Sequence, residues 1–259
     1  MTRKTLRIGL WLGIGCTGFS LAVTPVVHAA DHNNLEPNIP TQVEDAYPIP
    51  YLGREVQGYT TYDRMRGNKD LLTVAPVVEY GFARNWQGSL SVPYQVGSSE
   101  NTAGSGNPEV SALYNFNTES LSLPAFALSV RESFPGGRGH AGIGSQVKLI
   151  ATKTLGPGDH LDELHVNLVY LNTGHPEEDM RRNRYQAILG YSRRLAIDNV
   201  LVTDFVRSQE QLQGQNSNVI EIGLRHQMTP QTLYAVGLGT GIGEDSPKFR
   251  LTFGFQHSF

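Results

Sequence analysis

The chain is written in short alternating runs. Across residues 248–259, KFRLTFGFQHSF, one parity carries Phe249, Leu251, Phe253, Phe255, His257 and Phe259, and the other carries Lys248, Arg250, Thr252, Gly254, Gln256 and Ser258. Successive side chains of a strand point to opposite faces, so this run predicts a strand with one apolar and one polar face. Twelve such runs recur, near 54–63, 72–82, 86–96, 108–117, 124–134, 143–154, 163–172, 183–194, 198–208, 217–227, 232–243 and 248–259. Helical periodicity is scarce. Roughly ten alternating residues is the length at which a tilted strand crosses the hydrocarbon layer of a bilayer.

The connections between runs alternate in kind. MRGNKD is followed by the short ARN, GSSENTAGSGN by NTESLSL, and PGGRGHAG, NTGHPEEDMRR and QLQGQNSN then fall at every second connection. AID and MTPQ between them are short, with GPGDHLD as a long exception. Outer-membrane barrels pair short periplasmic turns with longer outer loops and an even strand number. The pattern predicts an all-β, antiparallel, up-and-down transmembrane barrel of about twelve strands over 54–259, with both barrel termini periplasmic.

Aromatic placement separates this from a soluble sandwich. Trp86 and Tyr94 bracket Gly88, Leu90 and Val92 on one face, and Tyr185 and Tyr191 bracket Ala187 and Leu189. Phe82, Phe116, Tyr191, Tyr234 and Phe259 all fall at the expected periplasmic ends, as an interfacial girdle would. Phe259, the last residue, finishes the closing strand and is expected to act as the assembly signal.

The opposite parity collects polar groups that hydrocarbon cannot accommodate: Glu79, Ser89, Ser91, Gln95, Glu109, Asn115, Arg131, Lys148, Asn167, Asp204, Glu221, Arg225 and Arg250. These are assigned to the lumen. Val200, Val202 and Val206 share the face of Asp204, so charge alone turns that face inward. Arg131 and Lys148 fall diagonally across one hairpin, which predicts a basic step favouring carboxylated solutes. Gly237, Gly239, Gly241 and Gly243 give the eleventh run a bare inner face, read as a trough along the pore with Arg250 opposite Gly241.

The N-terminus adds a compartment. Arg3, Lys4 and Arg7 precede an uncharged apolar stretch, and Val27-His28-Ala29 offers a cleavage site, so residues 1–29 read as a cleaved signal peptide. Removing its three basic residues from the 21, against 24 acidic ones, leaves a mature charge of about −6, which gives a nucleic-acid partner no support. The one cysteine, Cys16, leaves with the signal, so no disulfide scaffold and no thiolate metal site follow. Residues 30–53 hold four prolines and no alternation. They read first as a periplasmic linker, with a partial plug of the lumen as the alternative.

Several stretches resemble one family. APVVEYGFARNWQGSLSVPY (75–94), GSGNPEVSALYNF (104–116), PAFALSVRESFPGG (124–137) and, more loosely, NLVYLNTG (167–174) are similar to bacterial outer-membrane transporters known as phenol-degradation (MetA-pathway) proteins. Family members often carry an acidic residue at the Asn107 position and Thr at the Gly136 position. The resemblance implies a barrel taking up organic solutes, aromatic ones among them.

Enzymatic sites do not assemble. GLGTGIG (237–243) spaces its glycines by two, unlike a dinucleotide fingerprint. His226 and His257 fall outward near a periplasmic end, and His140, His160 and His175 fall in connections. HPEED (175–179) reads as a charged loop before it reads as a cation site. An outer-membrane lipase would need Ser and His together on the lipid face, and parity points His165 inward. The expectation is therefore a passive channel for small organic solutes with no cofactor, no metal and no catalytic residue. Its expected surroundings are outer-membrane lipid, lipopolysaccharide and the barrel-assembly machinery. A closed, structural barrel is the alternative.

Overall fold

A computed structural model of the protein describes residues 30–67, 69–98, 104–136, 142–156 and 161–259. The expected signal peptide, His140 and His160 lie outside the described residues. Twelve strands follow one another: β1 (Arg54–Arg64), β2 (Asp70–Ala83), β3 (Trp86–Ser91 continued by Tyr94–Gly97), β4 (Gly104–Ser105 and Glu109–Asn115), β5 (Ala125–Ser133), β6 (Gly144–Thr154), β7 (Glu163–Thr173), β8 (Asn183–Ala196), β9 (Asn199–Gln209), β10 (Asn216–Thr229), β11 (Thr232–Gly241) and β12 (Phe249–Ser258). β3 breaks at Val92-Pro93, where proline supplies no ladder donor.

Each strand pairs antiparallel with its neighbours, and β12 pairs back onto β1 from Glu55↔Ser258 to Arg64↔Phe249. The sheet is thereby closed, which removes the unpaired edges an open sheet would expose. The Phe259 amide donates to the Arg54 carbonyl (2.9 Å), tying down the last residue. The two-residue turn between β2 and β3 places Asn85 at φ 65°, a left-handed position that asparagine tolerates.

The outward face is apolar. Leu90, Leu149, Leu168, Leu189, Ile222 and Phe253 each expose half or more of their surface. So large a band would be untenable in water, and it matches a hydrocarbon surround. At the end that carries the termini, Phe82, Trp86, Tyr114 and Phe116 form a chain of ring contacts, and Tyr234 meets Phe253 and Phe255. No helix among the described residues is long and apolar enough to cross a membrane.

The buried apolar clusters lie inside the barrel, and residues preceding β1 contribute to each. Leu35 and Val43 pack on Ile188, Val200, Val202, Val206 and Val219. Ala46 packs on Leu113, Ala125, Ala127 and Ile150, and Ile39 on Leu233 and Ala235. The segment before β1 therefore occupies the lumen instead of trailing free as a linker.

One register differs from the sequence-based expectation. Arg250 lies opposite Gly239, not Gly241. The turn at 242–248 folds back under β11, the Gly241 amide donating to the Pro247 carbonyl (2.8 Å), so β12 begins later. Parity survives the two-residue shift.

Candidate functional site

A non-periodic segment inside a barrel must find partners for its backbone groups. Here the inward side chains supply them. The amides of Val43, Glu44, Ala46 and Ile49 donate to Asp204 (2.9 Å), Asn167 Oδ1 (2.9 Å), Thr152 Oγ1 (3.0 Å) and Gln87 Oε1 (2.8 Å), on β9, β7, β6 and β3. Asn167 returns the bond, donating to the Glu44 carbonyl (2.8 Å), and Asn115 donates to the Ala46 carbonyl (2.7 Å). Gln42 donates through its side chain to Glu221 (3.0 Å).

Arg225 is the strongest clamp. Fully buried on β10, its guanidinium donates to the carbonyls of His32 (3.0 Å), Asn34 (2.7 Å) and Ile39 (2.6 Å), and to Gln256 Oε1 (3.1 Å). Five donors in a fixed fork suit this divergent set of acceptors. Within the segment, Asp45 accepts from the amides of Leu35 (2.8 Å) and Tyr47 (2.9 Å). Burial pushes the Asp45 carboxyl well up. Burial also raises Glu36, reinforced by Glu44 and Glu55, to about 8.

Glycine marks where the segment comes closest. A Cβ on Gly190 would meet Val43, one on Gly254 Ile39, and one on Gly223 the Pro40 ring, while one on Gly237 would lie 2.5 Å from the Pro40 carbonyl oxygen. The glycine face of β11 is thus covered, not an open trough. Pro40 covers Gly237, the side chains of Glu221 and Arg250 flank Gly239, and Ser246-Pro247 lies over Gly241. Gly243 sits in the following turn at φ 102°.

Gln95 apart, the residues assigned inward by parity divide into three groups. Lys148, Asn167, Asn115, Asp204, Glu221 and Arg225 contact the internal segment, Lys148 through Glu44 at 2.5 Å. Arg250 bridges two strands, 2.7 Å from Asp63 on β1 and 3.5 Å from Glu221 on β10. Glu79, Ser89, Ser91, Glu109 and Arg131 line a polar crevice between the segment and the β1–β5 wall. The expected basic step does not form: Arg131 pairs with Glu109 (3.4 Å) and Lys148 with Glu44, so each cation has its own carboxylate.

Ser111, Ser129, Gln57, Tyr59 and Gln87 complete that crevice. Its cavity volume of about 40 Å³ admits only a few waters, at roughly 10–15 Å³ for each. Near the other mouth, a wider cavity of about 330 Å³ is lined by Gln42, Asp63, Arg184, Gln186, Glu210 and Arg250. Gln42 joins the two levels, hydrogen-bonded to Gln186 (3.1 Å) as well as Glu221.

His165 is fully buried, facing inward, between Thr152 Oγ1 (3.1 Å from Nδ1) and Ser192 Oγ (3.0 Å from Nε2). Thr152 Oγ1 already accepts from the Ala46 amide. Its hydroxyl is thereby best placed to donate to Nδ1, which leaves the proton on Nε2, aimed at Ser192. That tautomer cannot take a proton from the serine. The carboxylate in the group, Glu163, contacts Ser192 (3.4 Å) and not the imidazole, so the order of a catalytic triad is absent. Tautomer and position fit a strut under the internal segment.

No family model matches the chain, and no curated protein matches it in sequence. Solved structures share its shape. An outer-membrane channel from Pseudomonas putida F1 superposes with a TM-score of 0.62 at 14% identity, over 87% of this chain and 100% of that one. The KdgM porin gives 0.56 at 14% identity over 79% and 99%, and the NanC porin 0.55 at 11% over 80% and 98%. The fold is that of a twelve-stranded outer-membrane barrel. The name of the phenol-degradation family finds no support in these comparisons.

The sequence pattern did not single out Asn115, Thr152, Asn167 and Gln87 as ligands of a backbone. One signal was available: Val200, Val202, Val206, Ile188 and Val219 are apolar on an inward face, which a water-filled lumen does not call for.

Proposed function

We propose that the protein is an outer-membrane channel through which small solutes move passively, with its N-terminal segment narrowing the lumen. The observation that carries this reading is the serine-rich crevice beside the segment, where Ser89, Ser91, Ser111 and Ser129 face the paired Glu109 and Arg131. A wall of small hydroxyls offers passing organic solutes hydrogen bonds without strong retention. The porins and the channel of similar fold support the same reading. The segment is hydrogen-bonded to strands around the barrel, β3 and β4 included, and its displacement would widen the path to admit organic solutes, as the resemblance to the phenol-degradation family implies.

In this reading residues 1–29 are a signal peptide, the termini lie in the periplasm and the barrel-assembly machinery inserts the mature chain among outer-membrane lipid and lipopolysaccharide. The protein is not an enzyme: the His165 group has the wrong tautomer and faces away from lipid. The test is single-channel conductance of the purified mature barrel in a planar bilayer. Small openings are expected, with a larger and steadier conductance when residues 32–49 are replaced by a short Gly/Ser linker. Silence of both forms would favour the closed, structural barrel.

A further inference from the structure

Three carboxylates converge at one level of the lumen without a cation. Glu55 and Glu79 are direct register partners on β1 and β2, an arrangement that like charges make unfavourable. Glu36 joins them from the internal segment, and the Gln87 amide bridges it to Glu79, donating at 3.4 Å to the first and 3.0 Å to the second. All three are buried, with exposures of 3–4%. Among the described residues no lysine, arginine or histidine comes within 4.0 Å of any of them. Arg225, which acts on Glu36 and Glu55 from farther off, directs its donors to backbone carbonyls and Gln256. Glu55 is occupied on both oxygens, by Gln256 and by the Ser258 hydroxyl (2.7 Å).

A second observation points the same way. Gln57, only 4% exposed, leaves its Oε1 without any hydrogen-bond partner, although its amide lies against Glu79. A buried carbonyl oxygen left unpaired costs free energy, and unpaired buried carboxylates cost more. Gln57, Glu36 and Glu79 line one cavity, the crevice described above. Among the described residues, Gln57 Oε1 is the one atom of that lining buried without a hydrogen-bond partner, and it is an acceptor beside carboxylates that have no cation. Glu44, also in the lining, is already neutralised by Lys148.

We propose that this cavity binds a hard divalent cation of the calcium class, held by Glu36, Glu79 and the Gln57 carbonyl oxygen, with water completing its shell. No three acidic or imidazole groups among the described residues converge closely enough to chelate a metal by themselves, so the amide oxygen and retained waters are required. Calcium accepts an irregular mixture of carboxylate, amide and water oxygens, whereas magnesium demands near-octahedral order. The ion joins the internal segment, through Glu36, to the barrel wall, through Gln57 and Glu79. Carboxylate ligands bind a cation in their deprotonated form, so binding should tighten as the pH rises.

The experiment uses the full mature barrel in detergent, stripped with a chelator and titrated with terbium. Tyr59 lines the same cavity and sensitises bound terbium when excited. Saturable emission, displaced by calcium, is expected. Glu79→Gln should weaken the apparent affinity about tenfold or more, and Gln57→Glu should tighten it, because ligand charge sets affinity in such sites. Glu36→Gln repeats the test from the internal segment without altering a strand, should the Glu79 variant fail to fold. Absence of calcium-displaceable emission, or emission of unchanged affinity in all three heat-modifiable variants, would overturn the proposal. Emission requires no ion flow, so a barrel that is silent in a bilayer leaves this outcome readable, and a failed cation site leaves the conductance reading standing.

Discussion

Replacing Arg225 by Met should release the internal segment while sparing the barrel. The side chain is fully buried and makes three charge-assisted hydrogen bonds to segment carbonyls at 2.6–3.0 Å. At about 1.5–3 kcal/mol each, these amount to roughly 5–9 kcal/mol before the cost of burying the guanidinium. Breaking a buried charged network by removing one partner nets about 3–5 kcal/mol. The equilibrium between docked and released segment should then shift by roughly a hundredfold to several thousandfold. The β10 ladder to β9 and β11 depends on backbone bonds, which methionine keeps. Two assays read the outcome: protease cleavage between residues 32 and 49 in the folded barrel, and conductance in a planar bilayer. Both should rise while heat-modifiable mobility is retained. A folded Arg225→Met barrel whose segment stays protected and whose conductance is unchanged would refute the assignment of Arg225 as the principal clamp.

Gly223→Val should displace Pro40, because even a Cβ there overlaps its ring; protection of the segment from protease should fall, while Gly67→Val, with open space around it but a positive φ, should cost only local strain in its loop. Deleting Phe259 removes the amide bonded to Arg54 and the ring set against His257, and should lower the heat-modifiable fraction on a gel without blocking export. Glu36 titrates near 8 when docked and near its ordinary value of 4.5 when released, so the docked form holds the extra proton between those values. Raising the pH through that window, with chelator present, should therefore favour release and increase conductance, and Glu36→Gln should flatten the dependence.

The strands were legible in the sequence because their environment is uniform along each face. Lipid outside and a polar interior impose period two on every run, so parity placed Leu90 and Phe253 outward and Glu79 and Arg225 inward, while for Asp204 its charge had to decide the face. What parity could not tell was whom the inward residues serve. Residues 30–53 carry no period, because their conformation is set by side chains arriving from β3, β6, β7, β9 and β10, up to 193 positions away in the chain. Their backbone bonds with Gln87, Thr152, Asn167, Asp204 and Arg225 exist only once the sheet has closed around them. The sign of the lumen was decided at the same stage. Arg131 and Lys148 lie on neighbouring strands as a basic pair in sequence, yet each is neutralised, Arg131 by Glu109 across the adjacent β4–β5 pairing and Lys148 by Glu44, which reaches it only because the barrel encloses the internal segment.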